Sequence, residues 1–178
     1  MRNHLWLILF TAACATNPSP GPDATNEVVR AASAPGEQID LTRHTLIHSQ
    51  EFPASRTEVW TALLALAGDL GMAVQSADPG AGMVIYHVHA LTPRVAGRPA
   101  SAWLDCGRAP GGAPRVNTYH VTIRLTAVVE PSTGEMRVRT ALVGYARDRG
   151  VAGDGLPCTS TDRLEWRALA LLAARLAR

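Results

Sequence analysis

The chain has 178 residues, 47% of them hydrophobic, enough for one domain with a real core and some additional segments. Its formal net charge is only +2, which gives nucleic-acid binding no support. All 17 basic residues are arginine, and with so much Ala, Gly and Pro this reflects the codon bias of a GC-rich bacterial genome more than a choice of partner.

The first residues read as a bacterial signal peptide. Arg2 supplies a positive start, Leu5 to Phe10 an apolar stretch, and Thr11-Ala12-Ala13 the small residues before Cys14. The apolar run is too short for the ~20 residues of a membrane-spanning helix. The segment resembles the lipobox of bacterial lipoproteins, with Thr11 where that family usually carries an aliphatic residue. Residues 1–13 are therefore expected to be removed and Cys14 to carry the lipid, with acyl chains such as palmitate as the membrane anchor. The alternative is an ordinary signal peptide cut after Ala13-Cys14-Ala15, which gives a secreted or soluble periplasmic protein. On either reading Cys106 and Cys158 remain as an even pair in an oxidising compartment, where a disulfide is expected.

Residues 14–38 read as the lipid-attachment cysteine and a flexible tether, with Pro18, Pro20, Pro22 and Pro35 and no hydrophobic period. A single α+β domain is expected over 39–178. Leu41 to His48 reads as a blurred strand. Ser55-Arg56-Thr57-Glu58 is a capping box, and Val59, Leu63, Leu66 and Leu70 follow at helical spacing up to Gly71. Met72–Ala77 and Met83–Ala90 read as strands joined by a turn over 78–82. Tyr119–Val129 alternates cleanly, with Tyr119, Val121, Ile123, Leu125, Ala127 and Val129 inward and His120, Thr122, Arg124 and Thr126 outward. Met136, Val138, Thr140 and Leu142 face inward on the returning strand. A final helix is predicted over Thr161–Ala177, with Leu164, Ala168, Leu171, Leu172 and Leu176 as its apolar side. The simplest packing is one curved antiparallel sheet with two helices on one face. Trp60 and Trp166, one on each helix, are expected in the core.

Two stretches resemble a known family. Phe52-Pro53-Ala54-Ser55-Arg56-Thr57-Glu58-Val59-Trp60, running on to Leu70-Gly71-Met72, looks like the opening strand–helix unit of BamC-like outer-membrane lipoproteins. Trp103-Leu104-Asp105-Cys106-Gly107, with Cys158-Thr159-Ser160-Thr161 and then Leu164-Glu165, is similar to uncharacterised periplasmic lipoproteins with that unit and a cysteine pair. BamC has two such domains and this chain has one. The resemblance implies a helix-grip-like fold and a non-enzymatic accessory role.

Two long segments, Leu91–Pro114 and Ala146–Pro157, read as functional loops. They carry the candidate partner-binding residues Arg94, Arg98, Arg108, Arg147 and Arg149, beside Arg115, and guanidinium groups suit carboxylates and phosphates. His87 and His89 share one strand face and His120 lies on another strand, a candidate zinc set, and His44 with His48 is a second. No catalytic motif is present: there is no C-x-x-C, H-E-x-x-H, G-x-S-x-G or phosphate-binding glycine loop. No cofactor is expected. The function expected is a lipid-anchored, non-catalytic protein on the periplasmic face of the outer membrane, binding another envelope protein or anionic envelope component. The rivals are a small apolar ligand carrier and a metal-dependent hydrolase built on His87, His89 and His120.

Overall fold

The computed structural model describes residues 47–91, 93–150 and 155–178 in full and the backbone of 31–33 and 37–39. The expected signal peptide, Cys14, His44 and most of the expected tether lie outside these residues. Within the tether stretch, the backbone of β1 (Ala31–Ser33) and β2 (Glu37–Ile39) pairs as a short antiparallel ribbon.

The remaining strands form one seven-stranded sheet, apart from a small ribbon. Strand β3 (Ile47–Phe52) runs later than the expected 41–48 and leads into helix α1 (Arg56–Leu70). The capping box forms as read: Glu58 N–H donates to Ser55 Oγ, and the Ser55 N–H donates 2.8 Å back to Glu58. Gly71 ends the helix in the left-handed region at φ 64°. Strands β4 (Ala73–Asp78) and β5 (Met83–Leu91) follow, joined by the expected turn. The long pair is β9 (His120–Ser132) and β10 (Glu135–Arg147), and α2 (Arg163–Leu176) closes the chain. The predicted fold class holds: a curved antiparallel sheet grips two helices packed on one face.

Burial follows the alternation. Val121, Ile123, Leu125, Ala127 and Val129 are all buried, as are Val59, Leu63, Leu66 and Leu70 of α1 and Leu164, Ala168 and Leu172 of α2. Tyr86 of β5 reaches across to α1, where its hydroxyl donates 2.8 Å to the Leu63 carbonyl. Burial raises its pKa. The outer face of the sheet is not uniformly polar. Met83 and Ile85 are buried there with Val128 against them, and Thr126 is buried as well.

The segment over 91–119 corrects the loop expectation. It holds a two-residue ribbon, β6 (Arg94–Val95) with β7 (Arg98–Pro99), and the strand β8 (Leu104–Asp105). Val95, Ala100, Trp103, Leu104, Cys106 and Val116 are buried in the main core. Trp103 Nε1 donates 3.0 Å to the Val95 carbonyl, and the Ala96 N–H donates 2.7 Å to the Leu70 carbonyl at the end of α1. The stretch is thus a packed lobe. The second long loop is also shortened, because β10 runs on to Arg147 and β11 (Leu156–Ser160) precedes α2. Residues 151–154 lie outside the description. Cys106 and Cys158 are joined in the expected disulfide.

Both β3 and β11 pair with the same edge of β10, β3 along Met136–Ala141 and β11 along Gly144–Ala146. They are laid end to end, so the chain leaving β11 for α2 passes the start of β3. That junction places His48, Ser160 and Asp162 together.

Candidate functional site

The register of the sheet builds a basic patch at one end of its outer face. On β9, Arg124 pairs with His87 of β5, Thr122 lies between His89 of β5 and Tyr145 of β10, and His120 lies between Leu91 of β5 and Arg147 of β10. Period-two geometry points all of these away from the helices. The His89 and His120 rings stack with centroids 5.6 Å apart, and His89 Nδ1 lies 2.7 Å from Thr122 Oγ1. Burial, followed by the charges of Arg124 and His89, pushes the His87 imidazole below its usual pKa. The opposite end of the same face is where carboxylates are found. There Arg137 pairs with Glu51 at 2.7 Å and Arg139 with Glu130 at 3.4 Å. Charge is therefore segregated along the sheet.

The five candidate arginines are all exposed but are not equivalent. Arg94 donates 2.6 Å to the Gly97 carbonyl and Arg108 donates 2.7 Å to the Gly112 carbonyl, so both brace their own turns. Arg115 reaches the Cys106 carbonyl at 3.3 Å. Arg98, Arg147 and Arg149 make no hydrogen bond or ion pair among the described residues and are the ones available to a partner. Asp105 and Asp148, which could have neutralised them, accept backbone N–H groups of Gly107 and Gly150 instead.

His87, His89 and His120 do not form the convergent three-ligand group that stands out among the described residues. That group is His48, Asp162 and Glu165, whose ligand atoms all lie within 4.8 Å of one another. Glu165 is fully buried, and burial raises its pKa to about 7, with the Asp162 charge adding to the rise and a hydrogen bond from Ser160 opposing it. Trp166, expected in the core, is 43% exposed and lies against His48 with ring centroids 4.9 Å apart. The sequence reading missed Asp162 and Glu165, because a helix-opening Asp-x-x-Glu reads as ordinary capping chemistry.

On the helix side, an open groove of about 500 Å³ runs between the first turns of α1 and the end of α2. Small residues, Ala62 and Ala65, leave the space, and Thr57, Glu58, Arg175 and Leu176 line it. Arg175 is tied to Asp69 at 2.6 Å, which holds the two helices together beside the groove. No described helix is long and apolar enough to cross a membrane.

No family model and no curated protein matches the chain. Among solved structures, the crystal structure of Ara h 8.0201 aligns over 75% of this chain and 95% of that one, at 9% identity and a TM-score of 0.34.

Proposed function

We propose that the protein is a lipid-anchored, non-catalytic module of the bacterial envelope. On this reading Cys14 is the acylated residue, and the domain stands on the periplasmic face of the outer membrane. It binds an anionic envelope component, carboxylate or phosphate in character, through the basic end of its sheet. The observation that carries this is the segregation of charge: Arg124 and Arg147 stand at one end of the outer face with the imidazoles of His87, His89 and His120, next to the lobe that follows β5 and carries Arg98, while Glu51 and Glu130 lie at the other end. Arginine recognises such anions by paired hydrogen bonds in fixed geometry. The disulfide keeps that surface ordered, and the resemblance to BamC-like lipoproteins points to the same accessory role.

Replacing Arg98, Arg147 and Arg149 with serine tests the proposal without disturbing the turns that Arg94 and Arg108 brace. The wild type should co-purify with its envelope component in a salt-sensitive way, and the triple variant should lose it while melting normally. Unchanged co-purification by the variant would sink the reading. A second reading, carriage of a small apolar ligand, rests on the groove of about 500 Å³ between α1 and α2, a volume within the range of ligand sites.

A further inference from the structure

We propose that His48, Asp162 and Glu165 form a binding site for a divalent transition-metal ion, zinc foremost, that clamps the start of α2 to the edge of the sheet. The argument begins with polar atoms left over after folding. His48 is 6% exposed and Glu165 is fully buried. His48 Nε2, Asp162 Oδ1 and Glu165 Oε2 are each buried without a hydrogen-bond partner. Nearly all buried polar groups in folded proteins are paired, so one such orphan calls for an explanation. Here three orphans face one another. His48 Nε2 and Asp162 Oδ1 stand 3.7 Å apart, too far for a hydrogen bond between them.

The backbone is bent to make this arrangement. Asp162 occupies the N-cap position of α2, where an aspartate ordinarily takes an extended conformation and accepts a helix N–H. It sits instead at φ 66°, in the left-handed region, and makes no side-chain cap bond. Only glycine enters that region freely, and aspartate does so at some cost. The cap bond that an aspartate there ordinarily makes is forgone as well. In that conformation the carboxylate stands 3.7 Å from His48 Nε2. Ser160 fixes the remaining geometry. Its hydroxyl donates 2.7 Å to Glu165 Oε1 and accepts the Asp162 N–H at 3.0 Å, which leaves Oε2 directed at the other two ligand atoms. This is the outer-shell support that metal-binding carboxylates commonly have.

The donor set chooses the ion. One imidazole and two carboxylates suit zinc and its first-row neighbours, whereas calcium and magnesium favour oxygen ligands alone. Zinc bonds of about 2.0–2.1 Å set tetrahedral ligand separations near ~3.4 Å, so closure needs less than about 1 Å of movement per side chain. Two carboxylates together supply the charge that a divalent ion neutralises, and a fourth position is left for water. The Asp162 side chain is 38% exposed, which gives the ion a way in.

The test uses the full chain purified in detergent and stripped with EDTA, titrated with zinc chloride by calorimetry and with cobalt chloride by visible absorption. The expected result is one ion per chain and a raised melting temperature. Ser160→Ala should weaken binding by about 10–100-fold. Glu165→Gln should abolish it. Asp162→Gly covers the case in which Glu165→Gln fails to fold: it relieves the backbone strain, so it should melt no lower than the metal-free wild type while binding no ion. A His89→Ala/His120→Ala double variant should bind as the wild type does. The inference is overturned if the wild type takes up no zinc, as it would if the two carboxyl groups simply share a proton. It is equally overturned if the His89→Ala/His120→Ala variant loses the ion and Asp162→Gly keeps it.

Discussion

Breaking the Cys106–Cys158 bond should cost about as much as the larger single truncations of the core. The bond spans 52 residues of sequence and joins the packed lobe to β11. Without it, β8 and β11 are held by two residue pairs, Thr159 with Asp105 and Ser160 with Leu104, and by the Thr161 N–H and hydroxyl, which donate to the Trp103 and Ala102 carbonyls. So short a ladder is not stable alone. For a loop of 52 residues, the chain-entropy relation gives about 4 kcal/mol at 25 °C, or roughly 10–20 °C in melting temperature for a domain of this size. Both sulfur-bearing residues are buried in the main core, so replacement by alanine adds a small packing loss. Urea unfolding of the wild type with and without reductant, beside the Cys106→Ala/Cys158→Ala variant, measures the effect. The reduced wild type and the alanine variant should agree to within that packing loss, and amide exchange should accelerate first at Leu104 and Thr159. A midpoint unmoved by reduction would refute the reasoning, because the lobe would then be held by its buried Val95, Trp103 and Leu104 alone.

Three further outcomes are expected. Glu165, with its pKa at about 7 in the fold against 4.5 unfolded, holds its proton longer in the native state. Stability of metal-free protein should therefore be full below about pH 4.5 and fall by roughly 3 kcal/mol as the pH rises through 7, a slope that Glu165→Gln should flatten in pH-dependent urea melts. Gly82 lies at φ 66°, and an added Cβ would meet the Val129 carbonyl oxygen at 2.6 Å, so Gly82→Ala should lower stability by about 2 kcal/mol or more by thermal denaturation. Cys14→Ser should release the protein from membranes or stall its processing, and intact mass should show acyl chains on the wild type; a mature chain beginning at Thr16 without an acyl mass would contradict lipid anchoring.

The regular parts of the fold were legible because their periods are clean. Ser55 and Glu58 announce α1, Gly71 ends it, and Tyr119 to Val129 alternates without a break, so both helices and the central hairpin stand close to where the sequence puts them. The lobe over 91–119 was not legible. Its core residues, Val95, Trp103, Leu104 and Val116, are separated by glycines and prolines at no fixed interval, and their burial is set by tertiary contacts that no local pattern records. Strand β11 escaped for a related reason: it pairs for only three residues with β10 and two with β8, and Pro157 argues against a strand. The basic patch was half legible. The histidines and arginines could be named, but their placement at one end of one face depends on strand register. The His48, Asp162 and Glu165 cluster depends on β3 and β11 sharing one edge of β10, which only the fold reveals.

The central claim is that the domain meets its envelope component through the basic end of the sheet. A photo-cross-linking side chain at Tyr145, which is 39% exposed within that patch, compared with one at Ala65 in the groove between the helices, tests it most directly. In intact cells the Tyr145 position should give a discrete adduct that weakens with salt, and the Ala65 position should give none. An adduct from Ala65 alone would contradict the account and move the binding site to the groove.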